Sequence, residues 1–544
     1  MPHETYDCVS KLNARGPEGV RIIPIPNIGT LGFTRLAING LDIAGMQPMK
    51  NEDRTWVCNG EIYNWQALAT HYNLTTHSGS DCEVIGELYE LFMRQCISLE
   101  GFFRVLDGVF AIIIVDEGRQ RTIVARDPYG IRPLYKGRTI DGQVAFASEI
   151  KALPKCDVVD PFPPGHYMII EHSGARKHSG ARKIMYNPVA YHNIPFLKNP
   201  SYNEIDVAAA AIRVCLTSAV NKRMMTERPV AALLSGGLDS SLVAALVAKE
   251  LKAAGTPPLR TFSIGMKGSS DLFHAQLVAK WIGSNHTEVL LTADDFFNAV
   301  PEVIRCIESY DTTTVRASVG NWLVAKAVAE QSDCKVVFNG DGADEIWGSY
   351  LYFYNAPSDQ AFEEETERLL RDIHMFDVLR SDRSISSHGL EPRTPYLDKE
   401  FVLVAKSVAT ALRRPIKGGL CEKWLMRKAF EEDKLLPPEV LWRRKEAFSD
   451  GVSGTEKAWY EIAQEKAEAL FPNWAEQDSL DTPRTAEQYY YRKCFIDTYG
   501  RHVRYTNVPY FWMPRWSPGV KDPSARALAD YSVSVTVPAT GTYD

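Results

Sequence analysis

The fold is decided by Val230–Leu234 (VAALL) and the loop that follows it, Ser235–Ser241 (SGGLDSS). The first run is short and apolar, which predicts a buried strand, and the Ser240–Leu251 segment that continues the loop predicts a helix. Two glycines allow close backbone approach, serines supply hydroxyl donors, and the N-terminus of a helix offers unpaired N–H groups. The sequence therefore predicts an α/β domain with a largely parallel sheet that binds a phosphate-like anion at this loop.

The carboxylate of Asp239 within this loop would repel a bare phosphate, so it implies a bridging Mg²⁺. A metal-bound pyrophosphate is the ligand that fits both features. No Gly-Lys-Ser/Thr ending of a Walker loop occurs in the chain, which disfavours ordinary γ-phosphate hydrolysis. Taken alone, the loop could equally be a capped strand-to-helix turn.

A second acidic loop supports the ligand-binding interpretation. Val336–Phe338 predicts another buried strand, and it runs directly into Asn339–Glu345 (NGDGADE). Ligands of open α/β sheets lie at the carboxyl ends of the strands, so Asp344 could share the metal with Asp239. In isolation the second loop would be a flexible acidic turn.

Four further segments follow in a fixed order: residues 310–316 (YDTTTVR), 391–398 (EPRTPYLD), 445–451 (KEAFSDG) and 512–516 (WMPRW). The SGGLDS loop resembles that of the PP-loop ATP pyrophosphatases. With these segments behind it, the chain from about Ala14 to Tyr531 resembles the glutamine-dependent asparagine synthetases of the bacterial B and eukaryotic type.

This resemblance implies an α/β PP-loop domain of the adenine nucleotide alpha hydrolase-like fold. It also implies that aspartate and ATP react to β-aspartyl-AMP and pyrophosphate, and that ammonia then displaces AMP to give asparagine. ATP and Mg²⁺ are the implied cofactors, with Asp239 and Asp344 as metal ligands. The implied nucleotide-binding residues are Leu234, Ser235, Gly236, Gly237, Asp239, Ser240, Ile264, Asn339 and Gly340, and the implied catalytic residues are Asp341, Lys445, Thr313 and Arg316.

One position departs from the family pattern. The family carries Ser-Gly-Glu-Gly where this chain has Asn339–Gly342 (NGDG). Asp341 keeps the carboxylate but shortens its reach by one methylene. If this group acts as the base toward ammonia, a misplacement of ~1 Å would slow the reaction.

The first part of the chain is rich in β-branched runs, such as Gly108–Asp116 and Arg121–Arg126, which predict a hairpin. It resembles a class II glutamine amidotransferase, which implies an α+β Ntn-type glutaminase sandwich with αββα layers. The resemblance implies that Arg35, Ile38, Asn59, Gly60, Glu61 and Asp81 bind glutamine. Asn59-Gly60 is also the preferred dipeptide of a two-residue hairpin turn, and both interpretations stay open.

The family's glutaminase nucleophile is an N-terminal Cys, whereas residue 2 of this chain is Pro. Cys8 lies in a different context and is expected to be a non-catalytic helix thiol. We therefore expect an N-terminus truncated relative to the family, without its Cys and first strand. The nitrogen donor is then ammonia for the chain as given, and glutamine if a fuller N-terminus exists.

The expected organisation is a glutaminase-like domain at 1–170, a linker at 171–202, a synthetase domain at 203–531 and a disordered tail at 532–544. The linker contains a tandem duplication of HSGARK at 172–183, which is typical of an exposed loop.

The composition fits a soluble multidomain enzyme. The 544 residues are 45% hydrophobic and 24% charged, with a net charge of −7, which offers no basic field for nucleic acid. No apolar run approaches the ~20 residues of a membrane span. We expect a cytoplasmic protein without membrane or nucleic-acid partners, and the resemblance implies a homodimer.

Two alternatives from other classes remain. One is a β-lactam synthetase-like enzyme, which uses the same adenylation to close a ring. The other is a non-catalytic regulatory or scaffold paralogue, suggested by the absent Cys and by Asp341. NAD and GMP synthetases fit less well, because their N-terminal architecture does not match.

Overall fold

The structure, a computed structural model, describes residues 2–172, 183–194, 200–454, 457–474, 483–503 and 506–528. Most of the duplicated HSGARK loop and the whole of the tail at 532–544 lie outside these ranges. In the described part of the chain, no helix is both long enough and apolar enough to cross a membrane.

The N-terminal domain is built on antiparallel sheet. Its strands are β1 (Val20–Ile25), β2 (Gly29–Thr34), β3 (Met49–Asn51), β4 (Arg54–Ile62), β5 (Gly108–Asp116), β6 (Arg121–Arg126), β7 (Tyr135–Arg138), β8 (Val144–Ala147), β9 (Val158–Pro161), β10 (His166–His172), β11 (Lys183–Met185) and β12 (Val189–Ala190). Its helices are α1 (Pro2–Ser10), α2 (Trp65–Tyr72), α3 (Val84–Arg94) and α4 (Leu99–Val105).

These elements form four layers. The central sheet has the order β11-β10-β6-β5-β4-β3, and β12 also pairs with β10. Its helix-facing side packs on α3 and α4 through a core that includes Trp56, Leu88 and Phe102. Its other side packs on the hairpin β1-β2 and on the small sheet β8-β7-β9. Helix α1 covers β1 and β2 from outside, which completes the predicted αββα arrangement.

The second sheet layer is divided. Among the described strands, β2 pairs with β1 alone and β8 pairs with β7 alone, so each has one unpaired edge. Both edges line the same cavity, of about 710 Å³, which we call the N-terminal cavity. A sheet edge of this kind exposes unpaired backbone N–H and C=O groups.

The predicted linker belongs in part to this domain. β10 extends to His172, and β11 and β12, which lie within 171–202, pair with it. The sheet therefore extends past the expected boundary at residue 170.

The C-terminal domain is an α/β layer structure. Its strands are β13 (Val230–Leu233), β14 (Arg260–Gly265), β15 (Asn285–Leu290), β16 (Val336–Phe338) and β17 (Glu391–Arg393). Its helices are α5 (Ile205–Lys222), α6 (Leu238–Ala253), α7 (Ser270–Ile282), α8 (Ala293–Ile307), α9 (Thr312–Gln331), α10 (Ala343–Trp347), α11 (Asp359–Asp372), α12 (Asp377–Ser386), α13 (Lys399–Lys406), α14 (Thr410–Arg413), α15 (Trp424–Ala429), α16 (Pro438–Leu441), α17 (Phe448–Gly451), α18 (Trp459–Leu470) and α19 (Ala486–Tyr499).

The five strands among the described residues of this domain are all parallel, in the order β15-β14-β13-β16-β17. Apolar cores fill both faces of the sheet. Along the chain, β14 pairs with one edge of β13, β15 then pairs with β14, and β16 pairs with the other edge of β13. The strand order reverses between β13 and β16, and a reversal of this kind opens a crevice at the carboxyl ends of the two strands.

Candidate active site

The crevice at the ends of β13 and β16 is a cavity of about 220 Å³, which we call the C-terminal cavity. Both loops predicted from the sequence meet there, although they lie about a hundred residues apart in the chain. The predicted site residues that line it are Leu234, Ser235, Gly237, Asp239, Ser240, Ile264, Thr313, Asn339, Gly340, Asp341, Asp344 and Lys445.

The first loop is held in shape by its own hydroxyls. Ser235 Oγ lies 3.0 Å from Ser240 Oγ, and the N–H of Gly237 donates to Ser235 Oγ at 3.3 Å. Gly236 has a φ of +70°, and a Cβ there would lie 2.5 Å from the backbone nitrogen of Ala275. This position therefore needs glycine, and the turn aims the first N–H groups of α6 at the cavity.

The second loop lies against the first. A Cβ at Gly340 would lie 2.7 Å from the backbone nitrogen of Ser240, so only glycine permits this approach. Asn339 anchors the loop, because its Nδ2 donates to Ser381 Oγ at 2.7 Å and its N–H donates to the carbonyl of Arg393 at 3.1 Å. The two loops together form one wall of the cavity.

Two carboxylates and two lysines meet on this wall. Lys423 Nζ donates to Asp239 Oδ2 at 2.5 Å and to Asp344 Oδ1 at 2.6 Å. Lys445 Nζ donates to Asp344 Oδ2 at 2.6 Å and lies 4.0 Å from Asp239 Oδ2. The side chain of Lys423 is 1% exposed and that of Lys445 is 19% exposed, so one ammonium lies beneath the carboxylates and the other on the open side.

These contacts fix the charge state of the cluster. Burial raises the pKa of the Asp344 carboxyl, but the ammonium groups of Lys423 and Lys445 outweigh it and hold the pKa well below its ordinary value. Burial lowers the pKa of Lys445, but Asp344 and Asp239 reverse the effect and leave it above its ordinary value. Both groups are therefore charged at neutral pH.

The residues present fit a nucleotide-bound Mg²⁺. Oδ1 of Asp239 is buried and has no hydrogen-bond partner among the described residues. No group of three or more His, Cys, Asp or Glu side chains suited to a metal occurs within the described ranges. A protein contribution of two carboxylates is what Mg²⁺ uses when phosphates and water complete its six ligands.

Asp341 lies on the same loop but has different partners. Its Oδ1 accepts from Arg380 Nη2 at 3.0 Å, and the same guanidinium contacts Asp377 closely. Burial raises the pKa of Asp341, Arg380 opposes this and Asp377 adds to it, so that the pKa stays above its ordinary value. The carboxyl is thus paired on one side and more basic than an exposed aspartate.

The two predicted residues of the 310–316 segment differ in placement. Thr313 lines the cavity, and its hydroxyl is buried without a partner in the described structure. Arg316 lies one turn further along α9, and its guanidinium pairs with Glu487 at 2.6 Å and with Asp522 at 2.8 Å. Arg316 is not among the described residues that line the cavity, so its predicted contact with substrate stays a prediction.

The N-terminal cavity collects the predicted glutamine-binding residues. Its lining includes Arg35, Ile38, Asn59, Gly60, Glu61 and Asp81. The Arg35 guanidinium donates to the carbonyls of Gly40 at 2.5 Å and Asp42 at 2.7 Å.

Carboxylates concentrate at one end of this cavity. Burial, together with Asp81 and Glu391, raises the pKa of Glu61 well above its ordinary value, and the guanidinium of Arg393 at 3.4 Å opposes this. Burial likewise raises the pKa of Asp81 to about 6, although its Oδ2 accepts the N–H of Ile62 at 2.7 Å. An acidic end of this kind suits a ligand that carries an ammonium group.

The hairpin-turn interpretation of Asn59-Gly60 is wrong. Both residues lie within the continuous strand β4, where Asn59 pairs with Ala111 and Gly60 with Phe110 of β5. A Cβ at Gly60 would meet the carbonyl of Val109 at 1.9 Å, so glycine serves strand pairing here and not a turn.

Three cysteines line the N-terminal cavity within the described residues: Cys8, Cys58 and Cys82. Burial raises the pKa of the Cys8 thiol. A hydrogen bond with Cys58, followed by burial, raises the pKa of Cys82 well above its ordinary value. Thiols of this kind are poor nucleophiles, because the thiolate is the reactive form.

Sequence reasoning missed the partners that reach the two loops from elsewhere in the chain. Lys423, Asp377 and Arg380 all line the C-terminal cavity, but none lies in a motif with a recognisable spacing. Lys423 adopts a φ of +55°, an uncommon conformation for a non-glycine residue. The structure alone reveals these three.

Comparison with known proteins identifies the family. The asparagine synthase family model matches residues 211–362 and 354–519, and the glutamine amidotransferase domain model matches residues 3–163. The chain belongs to the asparagine synthase family. The predicted family and the predicted combination of an Ntn-type domain with an α/β synthetase domain are thereby confirmed.

Curated relatives of the family align over nearly the whole chain. The asparagine synthetase [glutamine-hydrolyzing] of Homo sapiens is 40% identical over 558 residues, which cover 98% of this chain and 97% of that protein. The protein of the same name from Gallus gallus is 40% identical over 561 residues, with the same coverage of both chains. A solved structure titled as an allosteric regulatory enzyme of purine biosynthesis aligns over 53% of this chain and 78% of its own at 17% identity, with a TM-score of 0.28, too low to bear on the fold.

These alignments correct the expected N-terminal truncation relative to the family. They cover 97% of the length of each of the two relatives. Helix α1 (Pro2–Ser10) lies ahead of Arg15 and packs on β1 and β2 as part of the domain.

Proposed function

We propose that this member of the asparagine synthase family makes asparagine from aspartate and ATP at the C-terminal cavity. The observation that carries the proposal is the meeting of the SGGLDS loop and the Asn339–Glu345 loop at the crevice between β13 and β16, with Asp239, Asp344 and Lys445 side by side. One wall of the cavity thus combines hydrogen-bond donors for phosphates, two carboxylates for a metal, and an ammonium group that can stabilise the negative charge developing in the reaction.

In the first step, an oxygen of the β-carboxylate of aspartate attacks the α-phosphorus of ATP. The bond between the α-phosphorus and the bridging oxygen breaks, and pyrophosphate leaves with that electron pair. The SGGLDS loop and the N-terminus of α6 would hold the β- and γ-phosphates, and the backbone of Leu234 and Ile264 would contact the adenine. Asp239 and Asp344 would hold a Mg²⁺, which neutralises charge on the pyrophosphate.

Lys445 has a separate part in this step. Its ammonium lies on the open side of the carboxylate pair and is 19% exposed, so it can reach a bound phosphate without losing Asp344. Negative charge builds on the oxygens around the α-phosphorus as the bond forms, and a nearby fixed cation stabilises that charge.

In the second step, the nitrogen of ammonia attacks the carbonyl carbon of β-aspartyl-AMP. The bond between that carbon and the phosphate oxygen breaks, and AMP leaves with its electron pair. Ammonia arrives largely as ammonium at neutral pH, so a base must take its proton. Asp341 suits this part, because burial makes its carboxyl more basic than an ordinary aspartate. Asn339 and Gly340 would line the nucleotide, and Thr313 would orient the substrate.

Ammonia is the nitrogen donor that the described residues support best. The residues that would hold glutamine are grouped in the N-terminal cavity, but the thiols of Cys8 and Cys82 in its lining have raised pKa values. Glutamine binding by Arg35, Ile38, Asn59, Gly60, Glu61 and Asp81 is part of the proposal, and glutamine hydrolysis is expected to be slow.

The two alternatives fare differently. The relatives are named asparagine synthetases, which does not favour a β-lactam synthetase. A scaffold paralogue would have no need of the buried, charged cluster of Asp239, Asp344, Lys423 and Lys445. A homodimer and a cytoplasmic location complete the proposal, and sedimentation velocity and fractionation would test them.

The test is aspartate-dependent exchange of labelled pyrophosphate into ATP, which reports the first step without any nitrogen donor. Exchange that requires both aspartate and Mg²⁺ supports the proposal. Glutamate replaces aspartate in the control reaction. If the folded protein catalyses no exchange under any of these conditions, the scaffold alternative is correct.

A further inference from the structure

Lys423 lies beneath the carboxylate pair that the proposed function assigns to Mg²⁺. Its Nζ is 2.5 Å from Asp239 Oδ2 and 2.6 Å from Asp344 Oδ1, and its side chain is 1% exposed. The ammonium therefore occupies the space between the two oxygens that a bridging cation would also use.

The backbone holds this lysine in place. Lys423 precedes α15 with a φ of +55° and a ψ of +25°, a left-handed conformation that a lysine rarely adopts. The neighbouring Glu422 is held by Arg427, whose Nη2 donates to Glu422 Oε1 at 2.8 Å. An uncommon backbone conformation maintained by surrounding contacts is typical of residues placed for function.

The charges of the cluster cancel. Two carboxylates face two ammonium groups, and Ser349 Oγ donates to Asp344 Oδ1 at 2.5 Å without adding charge. A free divalent cation that approaches this group meets no net negative charge and meets an ammonium already between the ligands. A nucleotide-bound cation differs, because the phosphates bring their own negative charge and offer Lys445 a new partner.

We propose that Lys423 is a positioning residue that clamps Asp239 and Asp344 together and prevents the pair from binding a divalent cation in the absence of nucleotide. The metal then enters only as its nucleoside triphosphate complex. This inference rests on the proposed function, since it takes the two carboxylates as the metal ligands of an ATP site.

The test is binding of Mn²⁺ alone to the nucleotide-free full chain, measured by the electron paramagnetic resonance signal of the free ion. We expect the wild-type protein to bind Mn²⁺ weakly and Lys423→Met to bind it at least about tenfold more tightly, because removing one positive charge leaves the cluster net negative. Lys423→Arg keeps the charge and is expected to stay weak. Lys428→Met, an exposed lysine on α15, is the matched control and is also expected to stay weak.

Two outcomes would overturn the inference. One is a folded Lys423→Met protein that binds Mn²⁺ as weakly as the wild type, and the other is a wild type that already binds Mn²⁺ tightly. If Lys423→Met does not fold, Lys423→Gln keeps the polar contact and serves in its place. Mn²⁺ binding needs no turnover, so its result is separate from the pyrophosphate exchange that tests the proposed function.

Discussion

The two cavities of the molecule differ in size and in how their charged groups are paired. The C-terminal cavity is small, about 220 Å³, and its charged groups are paired across the ends of two parallel strands. The N-terminal cavity is about 710 Å³, lies between the unpaired edges of β2 and β8, and gathers carboxylates with raised pKa values. The lining of the first contains the residues that the family resemblance implies except Gly236 and Arg316, and the lining of the second contains all six. In the first, Asp239, Asp344, Lys423 and Lys445 are joined in one network of ion pairs.

The difference shows what a set of site residues needs in order to act. In the C-terminal domain, β13 and β16 pair side by side. The loops that follow these two strands therefore start next to each other, which brings Asp239 close to Asp344. In the N-terminal domain, the residues proposed to bind glutamine include Asn59, Gly60 and Glu61 on β4, and the thiols of Cys8 and Cys82 in the same lining have raised pKa values. We therefore expect synthesis at the C-terminal cavity and only slow glutamine hydrolysis at the N-terminal cavity.

The largest expected effect is on stability and comes from removing the buried ion pair between Arg316 and Glu487. Arg316→Met leaves Glu487 fully buried and without its cation, which should lower the free energy of unfolding by about 3–5 kcal/mol. Urea denaturation measures it, with the exposed Arg305→Met as control. If the variant instead keeps its stability and shows a raised KM for aspartate, Arg316 contacts substrate as the family resemblance implies.

The next effect concerns the metal-binding side of the same cavity. Asp344→Asn removes one of the two carboxylates proposed to hold Mg²⁺, and with it half of the negative charge that faces Lys423 and Lys445. Pyrophosphate formation should therefore fall about 10²–10³-fold. The matched control is Asp294→Asn, an exposed aspartate paired with Lys466. If Asp344→Asn keeps the wild-type rate of pyrophosphate exchange, then Asp344 does not hold the metal.

Asp341 separates the two half-reactions. Asp341→Asn should lower ammonia-dependent asparagine formation about 10²-fold and leave aspartate-dependent pyrophosphate exchange within about twofold, because the base acts only in the second step. The carboxylate must be ionised to take a proton, so the wild-type rate should fall as the pH drops through its raised pKa. If the rate of asparagine formation by Asp341→Asn still falls at low pH as it does in the wild type, another group is the base.

The N-terminal cavity should respond in stability and not in synthesis. Burial raises the pKa of Asp81 to about 6, so the folded state binds the proton more tightly than the unfolded chain, and stability is lost as the pH rises from about 4 toward 6. Asp81→Asn should therefore raise the free energy of unfolding at pH 8 by about 3 kcal/mol and change it little at pH 4. A variant less stable at pH 8 would show that the carboxylate is a net stabilising group.

Much of this structure could be predicted from local patterns. The bounds of β5, β6 and β16 match the β-branched runs at Gly108–Asp116, Arg121–Arg126 and Val336–Phe338. Strand β13 and helix α6 surround the SGGLDS loop as predicted, because alternation, apolar runs and glycine loops are properties of neighbouring residues.

Features that depend on distant parts of the chain could not be predicted. Asn59-Gly60 favours a turn locally, but nine residues of pairing between β4 and β5 keep it in a strand. Lys423, which precedes α15, and Arg380 on α12 lie outside any recognisable motif, and their parts follow only from the carboxylates they contact. The placement of β11 and β12 in the central sheet also follows from pairing with β10 and not from their own short sequences.

The central claim is that the C-terminal cavity works without the N-terminal one, and the nitrogen donor tests it most directly. Asparagine and pyrophosphate would be measured from aspartate and Mg-ATP, with ammonia and glutamine supplied separately to the wild type and to Asn59→Ala. We expect product with ammonia in both proteins at rates within about twofold, and much slower product with glutamine in either. Rapid glutamine-dependent synthesis by the wild type, lost in Asn59→Ala, would contradict it.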